Sequence, residues 1–367
     1  MKVVVAGAGI SGLASAWHLA RRGHAVTLVE QGPVPNPLSA SGDHHRIIRR
    51  AYSAASGYAR LIGEAYDAWD ELWAALGEAH YDPRGFLCLS RAPGDEAETY
   101  LDGMRAGGYP LDLFDGAEAA RRYPFLDGGS LRFGFSSPDG GALHCRPIAA
   151  GLAGLIRAAG GTIREQTKVA SVDAVAGTVV LETGERLAAD RIVVTAGAWV
   201  LKLFPKLAAD LTTYRTAVVY LDPPADLRAA WEAAPVILDV GGETDGYIIP
   251  PTGGAGLKFG SGLHKERWPD ADAGRAARPG EGAEVRDLFA PPFLRLDEYA
   301  VRETVSCAYT FTADQRFFGA EIGRAIVVSA CSGHGYKFGA AIGRRVADAI
   351  ETGDADALRR WLRAEAG

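Results

Sequence analysis

Three consecutive β-branched residues, Val3, Val4 and Val5, open a run without polar alternation, the pattern of a strand buried on both faces. Glycines follow at positions 7, 9 and 12, and the period then changes. Leu13, Trp17 and Leu19 recur among alanines as on a helix, which Gly23 ends. "HAVTLVE" is a second apolar strand finishing at Glu30. Further on, residues 58–76 place Tyr58, Leu61, Ile62, Tyr66, Trp69, Leu72, Trp73 and Leu76 on one helical face, a stripe that reads as core packing.

"GFLCLS" and "LRFGFSSPDGGAL" have strand character on either side of a charged helical stretch, "PGDEAETYLDGMRAGG", and residues 147–159 resume a helix. "KVASVDA", "TVVLETGE" and "RLAADRIVVTAGAWV" read as a β-meander returning to the first sheet. Between about 210 and 302, "TTYRTAVVYLD", "PVILDV", "DGYIIPP" and "GLKFGSG" form a more β-rich region. "GRAIVVSACSGHGYKFGAAIGRRVADAIETG" is again strand, glycine loop and helix. The expected class is α/β. A discontinuous Rossmann-like nucleotide domain takes residues 1–78, 143–209 and 303–367. A substrate domain on a mixed or antiparallel β-sheet with helices takes 79–142 and 210–302. Pro269 to Gly282 reads as a surface loop.

With 48% hydrophobic and 23% charged residues, the 367-residue chain has the composition of a globular protein. Its net charge of -6, with no basic cluster, excludes a nucleic-acid surface as the first expectation. No stretch approaches the roughly 20 apolar residues of a membrane span. The opening segment has the charge and hydropathy of a signal peptide, but glycines break it and it continues amphipathically, so it reads as part of the fold. Cys88, Cys145, Cys307 and Cys331 are scattered without CxxC spacing, which argues against a disulfide framework or a zinc site and for a reducing, cytoplasmic setting. The histidines make no metal spacing either, so no metal is expected.

The chemistry begins at Gly7-x-Gly9-x-x-Gly12. Gly7 permits the tight turn, Gly9 lets backbone approach a pyrophosphate, and Gly12 lets helix and strand pack closely. The helix N-terminus attracts phosphate, and Glu30 is spaced to accept hydrogen bonds from a ribose hydroxyl. This fingerprint fits FAD or NAD, and its place at the start of the chain favours FAD. In "SGDHHRIIRRAY", a helical turn would put Arg46 and Arg49 on one face, suited to a carboxylate or an electron-rich ring; the alternative is a solvated basic turn. Lys337 lies between Tyr336 and Phe338, and Lys258 between Leu257 and Phe259, apolar settings in which a lysine is unusual unless its end reaches water. Gly333 and Gly335 around His334 suit close approach to a planar ligand. By composition, Cys307 reads as a small buried residue.

Six stretches, "VVVAGAGISGLASAWHLARRG", "GDHHRIIRRAY", "TAGAWVLKL", "GLKFG", "SCAYTFTADQRF" and "CSGHGYKFGAAIG", together and in this order resemble the FAD-dependent amine oxidases of the monomeric sarcosine oxidase and N-methyltryptophan oxidase type, GR2-type flavoproteins of the DAO family. The resemblance implies FAD bonded at its 8α position to the sulfur of Cys307, a link that raises the flavin's reduction potential. It implies Arg46 beside the flavin ring, Arg49 and Lys337 sharing a substrate carboxylate, Tyr247 near the substrate, and Lys258 activating oxygen. Gly7, Gly9, Gly12, Glu30, Gly333, His334 and Gly335 fall to the cofactor. The implied reaction oxidises a secondary amine or an N-methyl, cyclic or imino amino acid. Hydride passes to FAD, the imine hydrolyses, and O2 becomes H2O2. The alternative is a primary amine oxidase of D-amino acid or glycine type, or an amine dehydrogenase. Partners are then the small amine and O2, with the chain a monomer or weak homo-oligomer. The chain departs from the family where a Tyr-His pair follows the oxygen-activating lysine. Ser261 and Gly262 stand there, so a roomier or differently polar pocket is expected.

Overall fold

The computed structural model describes residues 1–329 and 332–365. β1 (Lys2–Ala6), α1 (Ile10–Arg21) and β2 (Ala25–Val29) form the opening unit, with β1 and β2 parallel and Val4 opposite Thr27. The sheet grows outward from β1 in both directions. Its order is Phe318–Ile322, Ala325–Ser329, Arg191–Val194, β1, β2, Thr162–Arg164, all parallel except the first edge strand.

Burial on both faces explains the valine run. Val3 and Val5 pack with α1, the helix Tyr58–Leu76 and the helix Gly339–Thr352. Val4 packs on the other side with Val179 and Leu181 of a three-stranded antiparallel meander, Val169–Asp173, Thr178–Leu181 and Arg186–Ala188.

A second, nine-stranded mixed sheet contains Thr212–Asp222, Val236–Asp239, Gly246–Ile249, Leu257–Ser261 and Phe86–Ser90. The strand Ala300–Phe311 runs antiparallel along Thr212–Asp222 and sets Cys307 opposite Thr216. Aromatic residues fill this sheet's core, with Phe125 stacked on Trp231 at 3.7 Å between centroids. A small sheet stands apart from both: β3 (His45–Arg49), Gly140–His144 and Tyr81–Asp82. No helix among the described residues is long and apolar enough to cross a membrane.

Two helical glycines separate packing from propensity. A Cβ at Gly343 would come within 2.5 Å of the Ala14 carbonyl carbon and 2.7 Å of the Ser15 nitrogen on α1, whereas one at Gly63 would meet nothing within 4 Å. Gly343→Ala should lower the unfolding free energy by about 1–2 kcal/mol because overpacking exceeds the gain in helix propensity. Gly63→Ala should raise it by up to about 1 kcal/mol. Urea denaturation of both variants checks the pair of signs.

Candidate active site

The turn after β1 opens a cavity of about 660 Å³, within the usual range for ligand clefts. Gly7 has φ +104, and a Cβ there would come within 2.5 Å of the Thr195 carbonyl oxygen. A Cβ on Gly12 would overlap the Gly7 carbonyl, so α1 lies this close to β1 only without one. The first turn of α1 holds no acidic residue and Gly9 offers no side-chain cap, which leaves the helix end positive toward the cavity. Buried Glu30 borders the cavity, accepting from the Ala8 N–H at 2.7 Å and Asn36 Nδ2 at 2.8 Å. Gly7, Gly9, Glu30, Gly333, His334 and Gly335 all line the wall, joined there by Arg46, Arg49, Tyr247 and Lys337. Gly12 stands behind it as packing, and Lys258 and Cys307 are also outside it.

Arg46 and Arg49 lie on a strand, not on a helical turn. β3 pairs with Gly140–His144, placing Arg46 opposite Leu143 and Arg49 opposite Gly140. Alternation sends the two arginines to opposite faces of β3, and both border the cavity. Ile48 is buried, while Ile47 borders the cavity with the arginines.

Buried Arg49 is held by aromatic rings. Its guanidinium carbon stands 4.0 Å from the centroid of Tyr52 and 4.9 Å from that of Tyr100. It donates to the Ala51 carbonyl and, at 3.3 Å, to the Tyr100 hydroxyl, while its Nε has no partner. Lys337 approaches the same Tyr52 ring, with Nζ 6.0 Å from the centroid and donating to the His334 carbonyl at 3.1 Å. Burial, then the charge of Arg49, pushes the Lys337 ammonium well below its ordinary range. Burial and Lys337 likewise lower His334 to about 3, so its ring is neutral, accepting or donating between the Tyr52 hydroxyl (3.2 Å) and the Gln315 carbonyl (3.1 Å).

Lys258 does not face water. It is fully buried, and its Nζ donates to Asp43 Oδ2 at 2.6 Å and to the His45 carbonyl at 3.3 Å. The other Asp43 oxygen accepts from the Tyr220 hydroxyl at 2.5 Å, and Arg46 Nη1 also donates to Oδ2 at 2.5 Å. Burial alone would raise the Asp43 carboxyl, but Lys258 and Arg46 overcome it and hold the group well below the ordinary carboxylate range. Arg46 donates further to the Ala40 carbonyl (2.7 Å) and the Tyr309 hydroxyl (3.2 Å). The Lys258 ammonium lies 5.6 Å from the ring centroid of Tyr247, which borders the cavity.

Cys307 is buried on its strand, one residue before Ala308, Tyr309 and Thr310, which line the wall. No motif in the sequence marks Asp43 or Tyr220. The signal available was an acid beside a run of arginines and a tyrosine register-paired with Lys258. Tyr52, Tyr100 and a group of carboxylates on the wall, Asp239, Glu96 and Asp245, carried no motif.

A glycine turn at a parallel-sheet strand end, a helix N-terminus and a cavity bordered by buried basic groups are the features of a dinucleotide-binding protein with a mixed-sheet partner layer. The chain belongs to the FAD dependent oxidoreductase (DAO) family, whose profile matches residues 2–349. FAD is therefore its cofactor, and the cradle at Gly7, Gly9 and Glu30 fits one. The chain is similar to monomeric sarcosine oxidase from Bacillus sp. (strain B-0618), 26% identical over 365 residues, 96% of this chain and 92% of that one. It is similar to human peroxisomal sarcosine oxidase, 27% identical over 356 residues, 93% of this chain and 90% of that one. Among solved structures, fructosamine oxidase (Amadoriase II) from Aspergillus fumigatus shares the fold with TM-score 0.82, at 21% identity over 99% of this chain and 88% of that one.

Lys258→Met should destabilise the protein by about 3 kcal/mol, because Asp43 stays buried with one cation fewer. The sign with pH follows from the depressed carboxyl. The stability it contributes is complete above the ordinary aspartate range and is lost only as pH falls through its much lower folded value. Removing Lys258 raises that folded value, so acid unfolding followed by circular dichroism should move to higher pH in the variant.

Proposed function

We propose that the protein is a flavin-dependent oxidase of a secondary amine or N-substituted amino acid, with the substrate carboxylate bound by Arg49 and Lys337. The observation that carries this reading is the meeting of two buried basic groups at one ring, Tyr52, on the wall of the cofactor cavity. Neither has an ion-pair partner among the described residues, and the Arg49 Nε lacks any acceptor. An anion offsets the penalty that burial and Arg49 place on the Lys337 ammonium, and a carboxylate can accept from both groups. The sarcosine oxidases to which the chain is similar are named for a secondary amine that carries a carboxylate.

When bound, FAD accepts a hydride from the carbon next to nitrogen and hands the electrons to O2, giving H2O2. Arg49 and Lys337 orient the substrate by its carboxylate, which converts the encounter into a positioned one. Tyr247 would border the substrate, and Arg46, fixed by four acceptors, would help to hold the flavin. Lys258, locked to Asp43 and 5.6 Å from the Tyr247 ring centroid, would supply a fixed positive charge for the negative charge that develops on oxygen. Gly333, His334 and Gly335, on the cavity wall, would help to hold the cofactor.

We also propose that Cys307 carries the flavin through its sulfur. The C-A-Y-T-F-T-A-D run from 307 to 314, with Ala308, Tyr309 and Thr310 on the cavity wall, supports this. With FAD bound, Cys307 would supply the sulfur of that link, and closing it would release two protons and two electrons with O2 as the oxidant.

Anaerobic mixing with N-methyl amino acids, cyclic imino acids and iminodiacids should bleach the flavin, and air should restore it. A panel in which no such amine bleaches it sinks the reading. Arg49→Gln should raise KM about 100-fold, the loss of a buried charge-assisted contact of roughly 3 kcal/mol. Acid precipitation should leave the yellow colour in the pellet for the native chain and release it in Cys307→Ala. Colour in the native supernatant rejects the covalent link.

A further inference from the structure

The cavity has a second charged wall that the oxidase reading leaves unused. Asp239 ends the strand Val236–Asp239, borders the cavity and is only 3% exposed, yet its Oδ2 has no hydrogen-bond partner. Glu96, at the start of the helix Glu96–Ala106, and Asp245 border the same cavity. Burial, then the charges of Glu96, Asp95 and Asp245, push the Asp239 carboxyl up to about 7. Lys265 also borders the cavity, its Nζ 5.0 Å from the Phe311 ring centroid, and its charge partly offsets the rise that burial and Glu96 give the Asp245 carboxyl; the Tyr100 hydroxyl donates to Glu96 at 2.5 Å. That hydroxyl also accepts from Arg49, so the acidic wall begins two hydrogen bonds from the proposed carboxylate anchor.

Gly262 admits the third carboxylate. A Cβ at this position would overlap the Asp245 carboxylate, and Asp245 itself holds a left-handed φ of +44. Any side chain at 262 would displace that acid. This is one of the two positions at which the chain departs from the Tyr-His pair of the family it resembles.

We propose that Asp239, Glu96 and Asp245 recognise a second, positively charged nitrogen, so that the substrate is an N-substituted amino acid whose side chain ends in a cation. The proposal rests on the oxidase reading for its carboxylate anchor. An ammonium or guanidinium gives the unpartnered Asp239 oxygen a donor and offsets the mutual repulsion of the three acids. An apolar side chain would do neither, and a hydroxyl would donate without neutralising.

Calorimetric titration of the anaerobic holoenzyme with hexanoate, 6-hydroxyhexanoate and 6-aminohexanoate tests this. The amino compound should bind about tenfold or more tightly than the other two, the equivalent of one charge-assisted hydrogen bond. Asp239→Asn should bring the preference close to one while leaving hexanoate binding intact, and Asp245→Asn, which lies on a different segment, should reduce it. Equal binding of the three, a preference unchanged in both variants, or no binding of any probe overturns the proposal. Flavin reduction by N-methyl amino acids in the same preparation reports separately on the oxidase reading. N-methyl-lysine should then exceed N-methyl-norleucine in kcat/KM.

Discussion

The buried carboxylate of Asp43 is the interaction on which the rest of the site depends. It joins Lys258 and Tyr220 of the nine-stranded sheet to Arg46 of the small sheet, three groups that have no other strong reason to meet. Taking one anion and two cations out of water is unfavourable unless each finds partners, and here they do. The two cations exceed the anion, so a positive potential remains beside the cavity. Lys258 cannot snorkel while Asp43 holds it, and Arg46 cannot swing while it donates to Asp43, Ala40, His45 and Tyr309. Next to them the His45 ring is buried with neither nitrogen bonded, and burial, then Lys258, keeps it neutral.

This constraint also explains what the sequence made legible. The β1–α1–β2 unit is local, and every device in it, the valine run, the glycines and the terminal acid, lies within thirty residues. The helix Tyr58–Leu76 has the bounds its aromatic period predicts, and the meander Val169–Ala188 returns to the first sheet as expected. Arg46 and Arg49 were harder, because "RIIR" satisfies both a helical spacing and a strand. The pairing that decides between them comes from Gly140–His144, about a hundred residues away. The Asp43–Lys258 pair spans 215 residues, and no local pattern carries such a contact. Lys258 looked anomalous between two apolar neighbours, but its partner was invisible.

The two sheets divide the work for a physical reason. A parallel sheet covered on both faces ends all its strands on one side, and there the turn at Gly7 and the N-terminus of α1 present N–H groups to phosphates. A mixed sheet presents alternating side chains along long strands, and its register brings Tyr220, Lys258 and Tyr247 into neighbouring positions. Backbone serves the cofactor, where the ligand is constant. Side chains line the remainder of the cavity, where single substitutions can change the charge.

The aromatic stripe of Tyr58–Leu76 completes the argument, because it is core and also scaffold. Trp69 Nε1 donates to the backbone carbonyl of Lys337 at 2.7 Å, and Tyr58 packs at 4.9 Å against His334 and donates to the Leu362 carbonyl. Lys337 is thus fixed close to Arg49 despite their repulsion, and the opposition is carried by packing that the cavity does not touch. An anion between two groups held in this way would relieve that repulsion, which is how packing in the core can favour binding at the wall.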